Sequence, residues 1–295
     1  MPSGIRKLLL IGAGHAHVQV LARLAQFRPA DLDVTVLSPY PWQTYSGMVP
    51  GLIAGRYSAT DCQIPLEPLI KAAGARWVPG RCTGLDAASR TVQLAATGGQ
   101  REWPARLGYD LLSLDTGAVI DRQKLESAMP GAAAHALIVR PMEAFTALWP
   151  QVLELARSRP VSVVVIGAGA AGIELLLAAE QRLRRDGATG ARFTLLTGGA
   201  DVAASYPEGV RRRVLRRLKA RGITVLREAC TGVEPGQVRL SGGATLACDV
   251  PIVAIGTHAP AWLQGSGLAL SDSGHVQVNA CQQSTSHPEV FAAGD

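Results

Sequence analysis

Apolar runs in this chain twice give way to glycine and then to a helical rhythm, and the remaining pattern is arranged around those two places. Leu8, Leu9, Leu10 and Ile11 follow one another without a polar break, as in a strand buried on both faces. Gly12-Ala13-Gly14 interrupts the run, and Val18, Val20 and Leu21 begin an apolar helical face. Asp33–Leu37 alternates and is β-branched, which predicts a second strand. Pro39–Pro50 is a turn-rich aromatic loop, longer than a simple connector. Arg76–Leu94 predicts two short strands around Leu85-Asp86 and Arg90, and Tyr109–Leu114 a buried strand ending in the polar turn Asp115-Thr116-Gly117. Gly131–Pro160 reads as a linker carrying one helix, Ala144–Arg157, and as a domain boundary. Val161–Glu174 then repeats the opening device, followed by a helix with Ile173, Leu176, Leu177 and Glu180 and a second strand, Phe193–Leu196. Val210, Val214 and Leu218 recur at helical spacing and predict a helix with one buried stripe, stopped at Gly222. Ile223–Leu226, Asp249–Gly256, Gly274–Asn279 and Glu289–Asp295 supply further strands.

The two glycine turns are where chemistry enters. A strand, a glycine turn and a helix N-terminus together form an anion site: backbone N–H groups point outward, the helix dipole favours negative charge, and missing Cβ atoms admit a pyrophosphate. The first turn offers Gly12 and Gly14, with His15, Ala16 and His17 opening the helix. His17 replaces the third glycine of the dinucleotide fingerprint, which predicts slightly looser packing of helix on strand. His15 and His17 fit either phosphate contact or packing at the helix turn. The second turn is complete, with Gly167, Gly169 and Gly172. Two such turns about one domain apart imply two dinucleotides, most simply FAD in the first and NAD(P)H in the second. The acid that the fingerprint places at the end of the next strand is absent both times: Ser38 stands in the first unit, and the second ends at Thr197-Gly198-Gly199. No arginine stands immediately there for a 2′-phosphate, so charge does not choose between NADH and NADPH. The expected fold is α/β, with two Rossmann-like three-layer dinucleotide-binding domains, the second inserted in the first. Residues 1–120 and 246–295 would form the FAD domain, 121–158 a linker and helix, and 159–245 the NAD(P) domain.

Composition narrows this only a little. A chain of 295 residues, 47% hydrophobic and 18% charged, is an ordinary globular protein of about two domains. A net charge of +6 permits attraction to anionic membranes, nucleotides or nucleic acids and specifies none. The arginines of Val210–Arg221 read as a solvated face, and with nothing aromatic among them no nucleic-acid partner is expected. Cys62, Cys82, Cys230, Cys248 and Cys281 stand far apart, which argues against a disulfide framework, a zinc site or an adjacent redox pair and fits a reducing cytoplasm. Arg6-Lys7 imitates the start of a secretory signal, but the apolar run behind it is short and passes into the glycine turn. No stretch approaches the roughly 18 apolar residues of a membrane helix.

Five segments in order, GAGHAH (Gly12–His17), SLDTG (Ser113–Gly117), GAGAAGIE (Gly167–Glu174), AIGTHAP (Ala254–Pro260) and VFAAGD (Val290–Asp295), resemble the pyridine nucleotide–disulfide oxidoreductase superfamily. Within it the chain resembles the type II NADH:quinone oxidoreductase and sulfide:quinone reductase branch. YSGMVPGLIAGRYS (Tyr45–Ser58) and IVRP (Ile138–Pro141) resemble the flavoprotein modules fused to selenophosphate synthetase. The resemblance spans essentially the whole chain. It implies FAD phosphates at Gly12–His17, adenosine ribose near Ser38, adenine near Cys82, and flavin near Ser46, Gly47, Thr116 and Gly117, with Asp295 on the ribityl chain. It places NAD(P)H on Gly167, Gly169 and Gly172 with Thr197 beyond them, Glu174 beside the nicotinamide as the one candidate catalytic side chain, and Gly256 at the junction between cofactors. A solvent-facing helix glutamate is the alternative for Glu174.

Three departures qualify the resemblance. No CxxxxC pair follows the first glycine turn, and no cysteine follows Thr116-Gly117 or lies near Pro160, so neither disulfide-reductase nor sulfide-oxidising chemistry is implied. The family continues beyond VFAAGD, so the chain is expected to be truncated, without a helix aimed at the flavin and a C-terminal domain carrying dimer or membrane contacts. The function implied is passage of hydride from NAD(P)H to flavin and on to a quinone or another small-molecule acceptor. The implied setting is the cytoplasm or the inner face of the membrane, with a homodimer as the assembly. A non-catalytic nucleotide-binding module acting as sensor or docking subunit is the rival, and RNA binding through Arg211–Arg221 a third reading.

Overall fold

The computed structural model describes residues 4–96 and 103–294, arranged as two compact units. The first unit comprises Met1–Gln43, Gln63–Val119 and His258–Asp295. Its centre is β1 (Arg6–Ile11). Leu9 and Ile11 join one buried cluster with Leu37, Val78 and Leu112, while Leu10 between them joins another with Leu21, Val36 and Leu66. A strand apolar on both faces must lie inside a sheet covered on both sides. Accordingly β1 is followed by helix α1 (His15–Phe27) and paired in parallel with β2 (Leu32–Ser38) on one side and β3 (Leu111–Leu114) on the other. The seven-stranded sheet runs Val290–Ala292, β3, β1, β2, Arg76–Asp86, Thr91–Ala96, Arg106–Gly108. It is parallel as far as Arg76–Asp86 and antiparallel beyond.

The second unit comprises Thr44–Cys62 and Ile120–Thr257 and repeats the plan. In β4 (Ser162–Ile166), Val163 and Val165 face one cluster with Leu176, Phe193 and Ile252, and Val164 and Ile166 face the other with Leu196, Val233 and Val253. Helix α2 (Ala170–Arg185) leads to β5 (Arg192–Leu196), and helix α3 (Glu208–Ala220) to β6 (Thr224–Leu226). The parallel five-stranded sheet runs β6, β5, β4, Val250–Val253, Leu137–Ile138. A three-stranded antiparallel sheet, Cys230–Glu234, Gln237–Leu240 and Thr245–Ala247, covers one face through Val233, Val238 and Leu240.

Several elements differ from the sequence expectation. The second unit runs to Thr257 because Val250–Val253 pairs with β4, and it takes in the stretch read as a linker because Leu137–Ile138 closes its sheet. It also holds Thr44–Cys62, whose Val49–Ile53 helix buries Val49, Leu52 and Ile53 beside Leu176 and Leu183. Arg76–Asp86 is one long strand, turning through Arg90 at φ 53° into Thr91–Ala96. Gly274–Asn279 is not a strand: its pairing is confined to the isolated bridges Leu270–Val276 and Val278–Ser284. The predicted buried stripe of α3 reduces to Leu218, since Val214 is half-buried and Val210 is 39% exposed. Among the described residues no helix is long and apolar enough to cross a membrane.

Candidate functional site

Each unit carries its glycine turn at the carboxyl end of its central strand, the edge at which open parallel sheets take ligands. In the first unit Gly12 has φ 84° and donates its N–H to Leu37 O at 2.9 Å. A Cβ there would run into the Asp115 carbonyl, and a Cβ on Gly14 into the Asp115 carboxylate. Asp115 is itself buried and accepts the backbone N–H of His17 at 2.8 Å, so a carboxylate from the end of β3 caps the first turn of α1. Thr116 and Gly117 come directly after it, and a Cβ on Gly294 would stand 3.1 Å from the same carboxylate. Leu114, Thr116, Gly117, Trp262, Val276 and Gly294 line a cavity of about 120 Å³ in this unit.

His17 fills the place of the missing glycine by bridging. Its Nδ1 is 2.8 Å from Gly12 O and its Nε2 2.8 Å from Ser113 Oγ. The carbonyl can only accept, so Nδ1 carries the proton and Nε2 accepts from the serine hydroxyl. Both ring nitrogens are thereby engaged within the protein, which makes His17 a strut between turn and β3. Burial pushes its pKa below the ordinary 6.5, against the opposing pull of the Gly12 carbonyl and the Asp115 carboxylate. The unfolded chain therefore takes up this proton before the folded one does. Stability is complete above about pH 6.5 and falls as pH drops from there toward the lowered folded value. Denaturation at a series of pH values checks this: His17→Gln is expected to flatten the acid slope, and an unchanged slope would assign it to other groups.

In the second unit the turn is packed more closely. Gly167, at φ 120°, donates to Leu196 O at 3.0 Å and abuts the backbone of Ala254 and Ile255. A Cβ on Gly172 would overlap the Gly167 carbonyl, so only glycine lets α2 approach the turn. At Gly169 the opposite holds: no described atom lies within 4 Å of where a Cβ would stand. Gly169 is also the N-cap of α2, with no side-chain cap and no acid in the first turn. Thr197 at the end of β5 is buried, and its hydroxyl has no hydrogen-bond partner among the described residues.

The other residues expected at the sites are more scattered. Ser38 is buried and donates its hydroxyl to Tyr40 O at 3.2 Å. Cys82 lies within the Arg76–Asp86 strand, its thiol pushed up to about 12 by burial. Ser46 and Gly47 form an exposed turn of the second unit, and Tyr45 packs its ring on Gly47. Glu174 is exposed on α2, and Gly256 is exposed just past the backbone that Gly167 abuts. His15 and Ala16 occupy the first turn of α1. Asp295 lies outside the described residues. Sequence reasoning misses the capping role of Asp115, because its partner His17 is 98 residues away and no local pattern links them. Among the described residues no group of three His, Cys, Asp or Glu is placed to hold a metal, and all five cysteines are free thiols.

The family model "Pyridine nucleotide-disulphide oxidoreductase" matches residues 6–295. An NADH dehydrogenase-like protein of Mycobacterium tuberculosis is 30% identical over 98% of this chain and 72% of its own length. Among solved structures, reduced CoADR-RHD from Bacillus anthracis superposes with a TM-score of 0.81 at 21% identity, over 99% of this chain and 51% of that one. NDH2 from Plasmodium falciparum in complex with NADH gives a TM-score of 0.80 at 16% identity, over 99% of this chain and 64% of that one. The chain thus spans half to two thirds of the length of these two structures. It belongs to the pyridine nucleotide-disulphide oxidoreductase family.

Proposed function

We propose that the first unit binds FAD along Gly12–His17, Ser38, Cys82, Thr116, Gly117 and Asp295; Ser46 and Gly47, expected at the flavin, belong to the second unit and are not part of this site. The second unit binds NAD(P)H on Gly167, Gly169, Gly172 and Thr197, with Glu174 and Gly256 toward the nicotinamide. The observation that carries this reading is the second glycine turn. Gly172 is held to glycine by the Gly167 carbonyl while Gly169 opens onto empty space at an uncapped helix end, which is a cradle for a pyrophosphate. The orphaned Thr197 hydroxyl suits a ribose hydroxyl at the end of the neighbouring strand.

The first unit fits its group through the left-handed Gly12, the α1 N-terminus and the cavity beside Thr116 and Gly117. Asp115 satisfies one N–H of that helix itself, so the phosphates are left the remaining donors of the turn. When bound, flavin and nicotinamide supply the hydride chemistry, and no side chain need act as acid or base. The protein's part is to hold the two dinucleotides by backbone N–H groups. The final acceptor in this reading is a quinone or another small molecule, as the resemblance of the sequence motifs to the quinone-reducing branch implies.

The test is a visible spectrum of the purified chain after reconstitution with FAD, before and after anaerobic NADH or NADPH. Flavin absorbance that bleaches with at least one nucleotide is the expected result. Bound flavin that stays oxidised under saturating amounts of both would leave a non-catalytic nucleotide-binding module instead.

A further inference from the structure

The loop after β5 carries a charge arrangement that the glycine turn does not explain. The position where the fingerprint has its ribose-binding acid is Thr197, but the fold supplies a carboxylate a little further on. Each oxygen of Asp201 is paired with a different arginine: Arg211 from the first turns of α3 and Arg227 from the residue after β6. Backbone hydrogen bonds fix where this cluster lies. Thr197 N–H donates to Leu226 O at 3.0 Å and Gly198 N–H to Glu228 O at 3.1 Å, which registers Arg227 beside the end of β5. Ala203 N–H donates to Ala168 O at 2.9 Å, tying the far end of the same loop to the glycine turn. The cluster therefore sits at the carboxyl ends of β5 and β6, on the loop that borders the cradle, where the adenosine end of a dinucleotide lies in such sheets.

Stability accounts for little of it, although Arg211 is only 31% exposed. The side chains of Arg227 and Asp201 are 71% and 40% exposed, and ion pairs at that exposure add little. Two buried polar atoms here have no hydrogen-bond partner among the described residues, the Thr197 hydroxyl at the end of β5 and the Nε of Arg211 itself. Two guanidinium groups converging on one carboxylate have the donor geometry that a phosphate dianion takes, with Asp201 standing in the anion's place.

Resting on the placement of NAD(P)H in the second unit, we propose that Asp201 makes this protein select NADH over NADPH. It holds Arg211 and Arg227 on its own carboxylate and so denies them to the 2′-phosphate. NADH, which carries no such phosphate, leaves the three-residue cluster intact and meets Thr197 through its ribose. With Asp201 neutralised, the two arginines become a 2′-phosphate site.

The experiment compares adenosine 2′,5′-bisphosphate with 5′-ADP by calorimetry on the full chain, in wild type, Asp201→Asn, Arg227→Gln and the double variant. Thermal melts confirm that each is folded. Wild type is expected to favour 5′-ADP. Asp201→Asn is expected to tighten the bisphosphate by about tenfold or more while 5′-ADP changes less than about twofold, the worth of charge-assisted hydrogen bonds to one phosphate. Adding Arg227→Gln is expected to cancel that gain, which a structural role for Asp201 alone does not predict. A bisphosphate-to-ADP ratio unchanged by Asp201→Asn, or a wild type already favouring the bisphosphate, overturns the assignment of Asp201 and leaves the nucleotide site standing. If wild type binds neither compound and does not bind NADH, the nucleotide placement itself fails and this inference with it. Should Asp201→Asn not fold, Asp201→Ser is read in its place: the same tightening of the bisphosphate is expected, and an unchanged bisphosphate-to-ADP ratio overturns the proposal.

Discussion

A Gly172→Val protein is expected to lose pyridine-nucleotide binding by about a hundredfold or more, with a stability loss of about 1–3 kcal/mol from overpacking. The Cβ alone would overlap the Gly167 carbonyl, and Val165 lies on its other side, so α2 must back away from β4. That movement carries the first-turn N–H groups of α2 away from the place where a pyrophosphate would meet them. Gly169→Ala provides the contrast. Its Cβ meets no described atom, so folding is expected to be unaffected, yet the methyl group occupies the open space of the cradle. Loss of NADH binding with an unchanged denaturation midpoint would separate the two roles of glycine within one turn. FAD content measured alongside should be unaltered in both variants, since the first unit has its own turn. If Gly169→Ala binds NADH normally, the phosphates do not lie there.

In the first unit, where the third glycine is absent, the turn is held in another way. His17 stands where Gly172 stands in the second unit, and the space a side chain needs is filled by an imidazole that braces Gly12 against Ser113. The looser packing expected from the sequence is thus a specific polar contact.

Such contacts mark the limit of what a sequence makes legible. Leu9–Ile11 and Val163–Ile166 are readable because the core of a strand buried on both faces is apolar at successive positions, and the glycine turns because left-handed backbone at Gly12 and Gly167 requires glycine. These are local demands, written locally. The roles of Asp115, Asp201 and Glu180 are not readable in the same way, because each acts through partners brought in by the fold. Glu180 falls in with Ile173, Leu176 and Leu177 as part of a helix face, with no sign of which cations meet it. Gly274–Asn279 misleads for the converse reason: it alternates like a strand, but its neighbours offer only single bridges and no continuous edge to pair with.

Glu180→Ala is expected to be the most destabilising charge-removing change outside the cradle, by about 2–3 kcal/mol. Glu180 is 1% exposed on α2, and its two oxygens face Arg184 at 2.5 Å and Arg221 at 3.3 Å. The Arg221 contact is close enough for an ion pair but not aligned as a hydrogen bond, so that oxygen is buried without a directed donor. Such a carboxylate is tolerable only because two positive charges flank it. Removing it leaves Arg184 and Arg221 repelling each other beside a small void where α2 meets the end of α3. The loss is set below the largest values for buried pairs because both arginines are partly exposed, 43% and 29%, and can turn to water. Glu180→Gln keeps the volume and one hydrogen-bond acceptor, so it should lose less, about 1 kcal/mol. Arg221→Ala should resemble it, because Arg184 still neutralises the carboxylate. Urea denaturation of the three variants orders them. A Glu180→Ala midpoint equal to wild type would mean that Arg184 and Arg221 are solvated in the folded protein and that the charge cluster adds nothing to the seam between the two helices.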